Sequence, residues 1–296
     1  MKVFDLKDVK HEKAGVIAFG FFDCIHRGHR KVIEKAVELS RENGLPSSVF
    51  LFKNNIFPLL GVEKHPIFDF EERLSLIREL GVDCVFYIEA DRAFLSLSAS
   101  SFLGYLKEKL EIAGFVCGAD FSFGDRGIGR PEDLIREIGG ISCVLDLYED
   151  NGRKISTEAV KKALSEGDIS LAERLLGRRL TLRRQVESGR RDGREMGYPT
   201  INFSLGTLPL KSGVYFTKVT VHGASYSALT NVGAHPTFGD YRENIETFLL
   251  DFKGDLYGKE VELEFLKYHR GILRFDAVDD LKKQIAADVS ARREYD

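Results

Sequence analysis

The sequence contains few cysteines and no long apolar run, and these absences exclude several classes of protein. None of its four cysteines forms a C-x-x-C pair, so we do not expect a secreted disulfide framework. No apolar stretch approaches the roughly 20 residues of a membrane-spanning helix, and the N-terminal residues lack the apolar core of a signal peptide. We therefore expect a cytoplasmic protein with no membrane partner.

The sequence also lacks a basic excess. It has 43 Lys and Arg against 46 Asp and Glu, giving a net charge of −3 and a pI near 6.2, so no nucleic-acid partner is expected, although a local basic pocket is still allowed. What the sequence does contain is 43% hydrophobic residues, enough for a real core. Its 296 residues fit one large domain or two medium ones.

Strand and helix patterns alternate through the first half of the chain. One helix pattern has its apolar stripe at Val32, Ile33, Ala36, Val37 and Ser40. The strands between the helices are nearly continuous apolar runs, at 15–20, 47–52, 83–88, 114–118 and 142–148. This alternation predicts an α/β domain whose parallel sheet is covered by helices on both faces.

After a helical pair at 156–177 the pattern changes to a period of two, with glycine-rich turns between strands. Such strands predict an antiparallel β-barrel, followed by a terminal helix over 276–295. We place the domain boundary at Gly177, which gives an α/β domain at 1–177, including the helical pair, and a β-barrel domain at 178–296.

The segment "FGFFDCIHRGH" (19–29) follows the first apolar strand and contains Asp23, His26 and His29. We expect a helix to start just after Gly28, where backbone amides favour a phosphate and glycine allows a ligand to approach closely. The histidines would donate hydrogen bonds to phosphate oxygens. Taken alone, the two histidines are better explained as solvated loop residues. A metal site is weaker still, because no nearby Cys or Glu pair completes one.

A second segment, "GREMGYPTINF" (193–203), carries Thr200 and Asn202 at alternate positions of an extended chain. Alternation places the two side chains on the same side of the strand. A hydroxyl and an amide oxygen are hard ligands suited to Mg²⁺ that bridges nucleotide phosphates. Without further context, Pro-Thr-x-Asn is only a turn into a strand.

The pattern G-F-F-D-x-x-H-x-G-H resembles the H-x-G-H nucleotidyltransferases, which have a Rossmann-like fold. More closely, it resembles the FMN adenylyltransferase domain of bacterial bifunctional riboflavin kinase/FAD synthetases, which precedes a β-barrel kinase. The resemblance implies that His26 and His29 contact ATP phosphates and catalyse by positioning, with Asp23 and Gly28 also at the nucleotide.

Two further first-half segments resemble that family. Val116–Gly124 resembles V-G-x-D-F-x-F-G, which implies that Asp120, Phe121 and Phe123 line the flavin or adenine side of the cleft; core packing is the alternative for the two rings. Ile155–Lys161 resembles the loop I-S-S-T-x-I-R and implies nucleotide contacts by Ser156 and Lys161.

The second half resembles the riboflavin kinases in three segments: G-x-P-T-x-N at 197–202, N-V-G-x-x-P-T-F from 231, and E-x-x-x-x-D-F-x-G-D-L-Y-G at 246–258. The resemblance implies that Thr200 and Asn202 hold Mg²⁺–ATP and that Glu246 is the general base toward the riboflavin 5′-hydroxyl. It also places Gly197, Pro199 and Asn231 in the binding site. The alternative for Glu246 is a solvent-facing strand carboxylate.

Three departures from the family pattern concern the nucleotide site of the first half. Cys24 replaces the glycine of F-D-G-x-H, which costs strain if its φ is positive. Glu158 replaces a small hydroxyl residue in the 155–161 loop, and the F-x-P-H-P segment after the second strand is absent.

The resemblance implies a bifunctional enzyme that uses Mg²⁺ and ATP to convert riboflavin to FMN and FMN to FAD. One alternative is a monofunctional riboflavin kinase whose first domain is a non-catalytic nucleotide-binding, flavin-binding or structural module. Another is a flavin-responsive regulator that binds RNA. The oligomeric state stays open.

Overall fold

Contacts along the chain divide it into two compact units, residues 1–157 and 158–296. The computed structural model describes residues 1–187, 197–204, 206–235 and 240–295. The division comes before the boundary predicted at Gly177, because the helical pair packs within the second unit. There the amide of Lys211 donates a hydrogen bond to the carbonyl of Leu164 (3.1 Å).

The first unit is an α/β structure. Over its described residues, all strand pairings of its six-stranded sheet are parallel, in the order β1-β4-β3-β2-β5-β6. In chain order its elements are β1 (Lys2–Asp5), β2 (Glu12–Phe19), α1 (Arg27–Glu42), β3 (Ser47–Phe52), α2 (Phe70–Glu79), β4 (Cys84–Ile88), α3 (Arg92–Leu95), α4 (Ala99–Lys109), β5 (Leu110–Gly118), α5 (Pro131–Glu137), β6 (Ile141–Leu145), β7 (Glu149–Asp150) and β8 (Arg153–Lys154). The predicted parallel sheet is confirmed.

Helices cover both faces of this sheet, as the sequence predicts. Alternate residues of β2 divide between the faces, so that Ile17 joins the cluster under α4 and Val16 joins the cluster under α1 and α2. The predicted stripe of α1 is the set of residues that the helix buries. Helix α2 begins after Asp69, which forms a capping box with Glu72.

The order of the strands creates a switch point next to β2. The chain runs from β2 to β3 and β4 on one side and then crosses to β5 and β6 on the other. In open α/β sheets, ligands bind beyond the carboxyl ends of the strands at such a point. The segment from Gly20 to His29 follows β2 directly and therefore lies there.

The second unit is an antiparallel β structure with helices at its two ends. Its sheet pairs in the order β10-β13-β12-β11-β14-β9 among the described residues. A bridge between Glu187 and Asn202 brings the chain after β9 against β10, as the predicted barrel requires. The elements are α6 (Thr157–Glu166), α7 (Ile169–Leu176), β9 (Leu180–Gln185), β10 (Thr200–Phe203), β11 (Gly213–Val221), β12 (Ala224–His235), β13 (Asp240–Leu249), β14 (Glu260–Arg270) and α8 (Val278–Tyr295).

A search of the described residues finds no helix that combines the length and the apolar character needed to cross a bilayer.

Candidate active sites

His26 and His29 lie together at the start of helix α1. The helix begins at Arg27, two residues earlier than the sequence predicts, and His26 is its N-cap. The amide of His29 donates a hydrogen bond to Nδ1 of His26 (3.1 Å), and the two rings stack with centroids 3.7 Å apart. Because Nδ1 of His26 accepts, the neutral ring carries its proton on Nε2.

Gly28 lies close against the His26 ring, with little room for a side chain. A side chain at Gly28 would place its Cβ 3.2 Å from Cε1 of His26 and 3.6 Å from Cβ of Tyr148. Arg27, on the same turn, donates hydrogen bonds to the carboxylate of Asp150 (3.2 Å) and the hydroxyl of Tyr148 (3.1 Å). The first turn of α1 contains no acidic residue, so its partial positive charge stays available to an anion.

Asp23 is buried and has a structural contact. Its side chain is 1% exposed, and Oδ1 accepts a hydrogen bond from the amide of Ile67 (2.6 Å). The buried Arg73 donates to the carbonyl of Phe52 (2.9 Å); burial lowers the pKa of Arg73, while the charges of Asp23 and Asp69 oppose that shift. Asp23 therefore fastens the chain just before helix α2 to the histidine motif.

Cys24 fits its position without backbone strain. It is fully buried and is not among the residues with positive φ, whereas its neighbours Phe22 (φ 46°) and Ile25 (φ 47°) are. Its Sγ lies 3.7 Å from Oγ1 of Thr157. The backbone strain that a positive φ would cause at Cys24 is therefore found instead at Phe22 and Ile25.

The segment after β5 places its predicted residues differently. Asp120 is exposed and forms an ion pair with Lys154. Phe121 is half-buried and stacks on Phe19 (5.8 Å between centroids) and on Phe123 (5.7 Å). Phe123 is 7% exposed, so core packing accounts for it, while Phe121 keeps part of its surface open.

The 155–161 loop leads into helix α6. Ile155 is 3% exposed, and its amide donates to the carbonyl of Tyr148 (2.9 Å). Ser156 is half-buried, and Glu158 is exposed in the first turn of α6, where a carboxylate complements the helix dipole. Lys161 lies one turn further along α6, in the second unit, and its nucleotide contact stays a prediction.

In the second unit, strand register aligns three of the predicted kinase residues. Asn202 on β10 pairs with Glu246 on β13, and Glu246 pairs with Asn231 on β12. Directly opposed residues of an antiparallel sheet project to the same face with Cβ atoms about 5 Å apart. The sheet therefore assembles one row of amide, carboxylate and amide from segments far apart in sequence.

Thr200 and Asn202 share one side of β10, as the sequence predicts. Thr200 is half-buried, and Asn202 is 7% exposed. The carbonyl of Asn202 accepts a hydrogen bond from the amide of Glu187 (2.9 Å), which fixes the strand at this point. Hydroxyl and amide oxygens here, with the Glu246 carboxylate on the next strand, are a donor set that suits Mg²⁺.

Two loops of this half lie partly outside the described residues. Of the 193–203 segment, the structure describes Gly197, which has φ 87°, and the exposed Pro199. Arg194 and residues 236–239 of the loop after Asn231 lie outside the described residues. Lys211 holds its ammonium 4.6 Å from the centre of the Tyr268 ring.

A buried threonine ladder lies behind the row of Asn202, Glu246 and Asn231. The hydroxyl of Thr230 lies 2.8 Å from those of Thr217 and Thr247, and all three residues are fully buried. Thr230 and Thr247 adjoin Asn231 and Glu246 in sequence, so their side chains project to the opposite face. The ladder joins β11, β12 and β13 and holds the register of the row.

Helix α8 packs on the sheet through buried charged groups. Asp288 is 3% exposed and accepts hydrogen bonds from Arg270 (2.6 Å), Gln284 (2.9 Å) and the His269 ring (3.2 Å). Arg292 is 1% exposed and donates to the carbonyl of Thr217 (3.0 Å). These contacts satisfy both charges and fix the helix.

Comparison with known proteins matches a different family model to each half of the chain. A model of FAD synthetase matches residues 8–159, and a model of riboflavin kinase matches residues 176–295. The bifunctional riboflavin kinase/FMN adenylyltransferase of Bacillus subtilis is 32% identical over 293 residues, covering 95% of this chain and 92% of the relative. The enzyme of that name from Escherichia coli is 35% identical over 292 residues, with the same coverage.

This chain belongs to the bifunctional riboflavin kinase/FMN adenylyltransferase family. Both of the family's transferase domains are present. A crystal structure of a protein named a macrolide-efflux protein, from Streptococcus pneumoniae, matches with a TM-score of 0.85 at 29% identity and covers 99% of each chain. This match confirms the fold class predicted from the sequence.

Within the described residues, no group of three or more His, Cys, Asp or Glu side chains is arranged to hold a metal ion. Several contacts of the site were not predicted: Arg27 with Tyr148 and Asp150, and Cys24 with Thr157. These contacts join residues more than a hundred positions apart in sequence. The sequence showed only that one partner of each contact lies in or next to a motif.

Proposed function

We propose that the second unit phosphorylates riboflavin to FMN and that the first unit adenylylates FMN to FAD, with Mg²⁺–ATP as co-substrate in both reactions. The observation that carries this proposal is the cross-strand row of Asn202, Glu246 and Asn231. It unites residues from three family-like segments on one sheet face. If the three segments resembled the family only by chance, their residues would have no reason to pair across neighbouring strands.

In the kinase half, Glu246 accepts the proton of the riboflavin 5′-hydroxyl as that oxygen attacks the γ-phosphoryl group of ATP. Thr200 and Asn202 would hold Mg²⁺ through their side-chain oxygens. When bound, the cation neutralises charge on the nucleotide phosphates. Asn231, on the other side of Glu246, orients the carboxylate or the substrate hydroxyl, and Gly197 and Pro199 shape the turn that leads into β10.

In the adenylyltransferase half, the FMN phosphate attacks the α-phosphorus of ATP and pyrophosphate leaves. His26 donates from Nε2 to a phosphate oxygen, because its Nδ1 is already engaged by the helix. His29 lies against it, and the amides of Arg27 and Gly28 in the first turn of α1 face the same anion. Gly28 leaves room for the ring of His26, while Ser156 and Phe121 contribute from the neighbouring loops.

A monofunctional kinase is the second candidate. Glu158 favours it, since an exposed carboxylate in the loop expected to hold a triphosphate repels that ligand. Its position in the first turn of α6 gives Glu158 a structural explanation as well.

The deciding experiment is an assay of the purified chain with riboflavin and Mg²⁺–ATP, with the products separated by chromatography. We expect FMN to appear first and FAD to follow. FMN without FAD would exclude the adenylyltransferase and support the monofunctional kinase. Absence of FMN would refute the kinase.

A further inference from the structure

Cys24, which departs from the family pattern, contacts the residue next to Glu158, another departure. Cys24 in the histidine motif and Thr157 at the start of α6 are 133 residues apart in sequence, and Sγ of Cys24 lies 3.7 Å from Oγ1 of Thr157. Cys24 stands where the family has glycine, and Thr157 belongs to the altered 155–161 loop. This contact therefore links the substituted motif position directly to the 155–161 loop.

The backbone around Cys24 depends on its surroundings for its shape. Phe22 and Ile25 have φ values of 46° and 47°, a conformation that costs about 1–3 kcal/mol for a non-glycine residue unless the neighbouring structure enforces it. Cys24 lies between them and is fully buried. Removing its side chain would leave a gap in the part of the segment that is under most strain.

The opposite side of the contact is the loop that carries Ser156. Ile155 is anchored by its hydrogen bond to the carbonyl of Tyr148 (2.9 Å), and Arg27 binds the hydroxyl of that same tyrosine (3.1 Å). The histidine motif and the loop are thus joined through Arg27 and Tyr148 and also through Cys24 and Thr157. Thr157 is the residue that directly follows Ser156.

We propose that Cys24 is a positioning residue for the adenylyltransferase reaction, acting through Thr157 to fix the loop of Ser156 against the two histidines. This proposal rests on the proposed adenylylation of FMN. It predicts that Cys24→Gly, which restores the family's residue, weakens the reaction in this chain because Thr157 loses its partner. Cys24→Ser keeps a hydroxyl that can bond Thr157 and retains the function.

A double-mutant cycle on the full chain tests the proposal, using Cys24→Gly, Thr157→Val and the two combined. KM for ATP and kcat are measured with supplied FMN, and urea unfolding of the same chains reports whether the first unit is folded. We expect each single change to raise KM for ATP about fivefold to tenfold with a smaller change in kcat. The double variant should be no worse than either single variant, because contacting residues couple.

Cys84→Ser is the matched control, since Cys84 is a buried cysteine of the same unit on strand β4. It should leave KM for ATP unchanged. The proposal is overturned if Cys24→Gly has wild-type or better KM, if the two single effects multiply, or if Cys24→Ser is as impaired as Cys24→Gly. Failure of the wild-type chain to form FAD would overturn the proposed adenylylation itself. That result differs from normal FAD formation by the Cys24 variants, which would overturn only the positioning role of Cys24.

Discussion

The two units assemble their candidate sites in different ways. In the first, the histidines come from one short segment and are oriented by the start of a helix. In the second, Asn202, Asn231 and Glu246 come from three strands and are aligned by register. A one-residue slip in a strand moves every side chain to the other face, whereas a loop absorbs a single substitution locally. Two of the three departures from the family pattern, Cys24 and the absent F-x-P-H-P segment, accordingly occur in the first unit, and Glu158 is the first residue of the second.

The largest expected effect follows from removing the carboxylate at the centre of the row. Glu246→Gln should lower FMN formation by about 10²-fold or more, because the 5′-hydroxyl loses its base. FAD formation from supplied FMN should be unchanged. Glu262→Gln, which alters a strand carboxylate paired with Arg183, is the control. A loss of only threefold would assign Glu246 a role in positioning.

For the first unit, two substitutions separate the catalytic and structural roles of His26. His26→Asn keeps an N-cap acceptor, and His26→Ala removes it, which costs about 1 kcal/mol in the free energy of unfolding. Both should lower FAD formation from FMN by about 10²-fold, because both lose the Nε2 donor. Urea unfolding and product assays measure the two effects.

The control for these variants is His11→Asn, at an exposed residue of the same unit whose φ of 52° asparagine tolerates. It should retain full activity. Normal FAD formation by His26→Asn would show that the ring acts only as a helix cap.

A smaller effect is expected from charge placed beside Glu246. Asn202→Asp introduces a second carboxylate directly opposite that residue, and like charges at this distance repel. We expect KM for ATP in FMN formation to rise about tenfold, with kcat less affected. Thr200→Val should also raise KM for ATP in FMN formation. Unchanged kinetics in both variants would exclude the proposed Mg²⁺ ligands.

The smallest effect concerns the thiols. Cys24 and Cys117 are fully buried and Cys84 is 8% exposed. Burial raises the pKa of the Cys117 thiol to about 12 and also raises that of Cys84, so neither forms appreciable thiolate at pH 8. We expect at most one fast reaction with a thiol reagent, at the half-buried Cys143, and four after unfolding in urea. Two or more fast reactions in the folded chain would contradict this burial.

The sequence predicted those structural features that depend on residues close together in the chain. The buried stripe of α1 and the cap formed by Asp69 and Glu72 could be read from spacing, because helix periodicity and capping act within a few residues. The edge strand β1 and the β7–β8 hairpin were not predicted. The contact between Cys24 and Thr157 was also missed, since it depends on how the sheet brings distant loops together.

The early start of α1 has the same explanation. The sequence placed it after Gly28 because glycine is a poor helix residue. The structure begins it at Arg27, since the His26 side chain satisfies an orphan amide and Arg27 bonds Asp150 and Tyr148. Capping by histidine is a weaker sequence signal than capping by serine or aspartate, so the prediction followed the glycine.

The buried contacts of helix α8 have a consequence for synthesis of the chain. The first unit contains all of its core residues within the first 157 residues, so it can fold while the rest is still being translated. The second unit differs, because the guanidinium of Arg292 donates to Thr217 from a fully buried position. Its barrel therefore completes its packing only after residue 292 has left the ribosome, which makes adenylyltransferase folding the earlier event and kinase folding the later one.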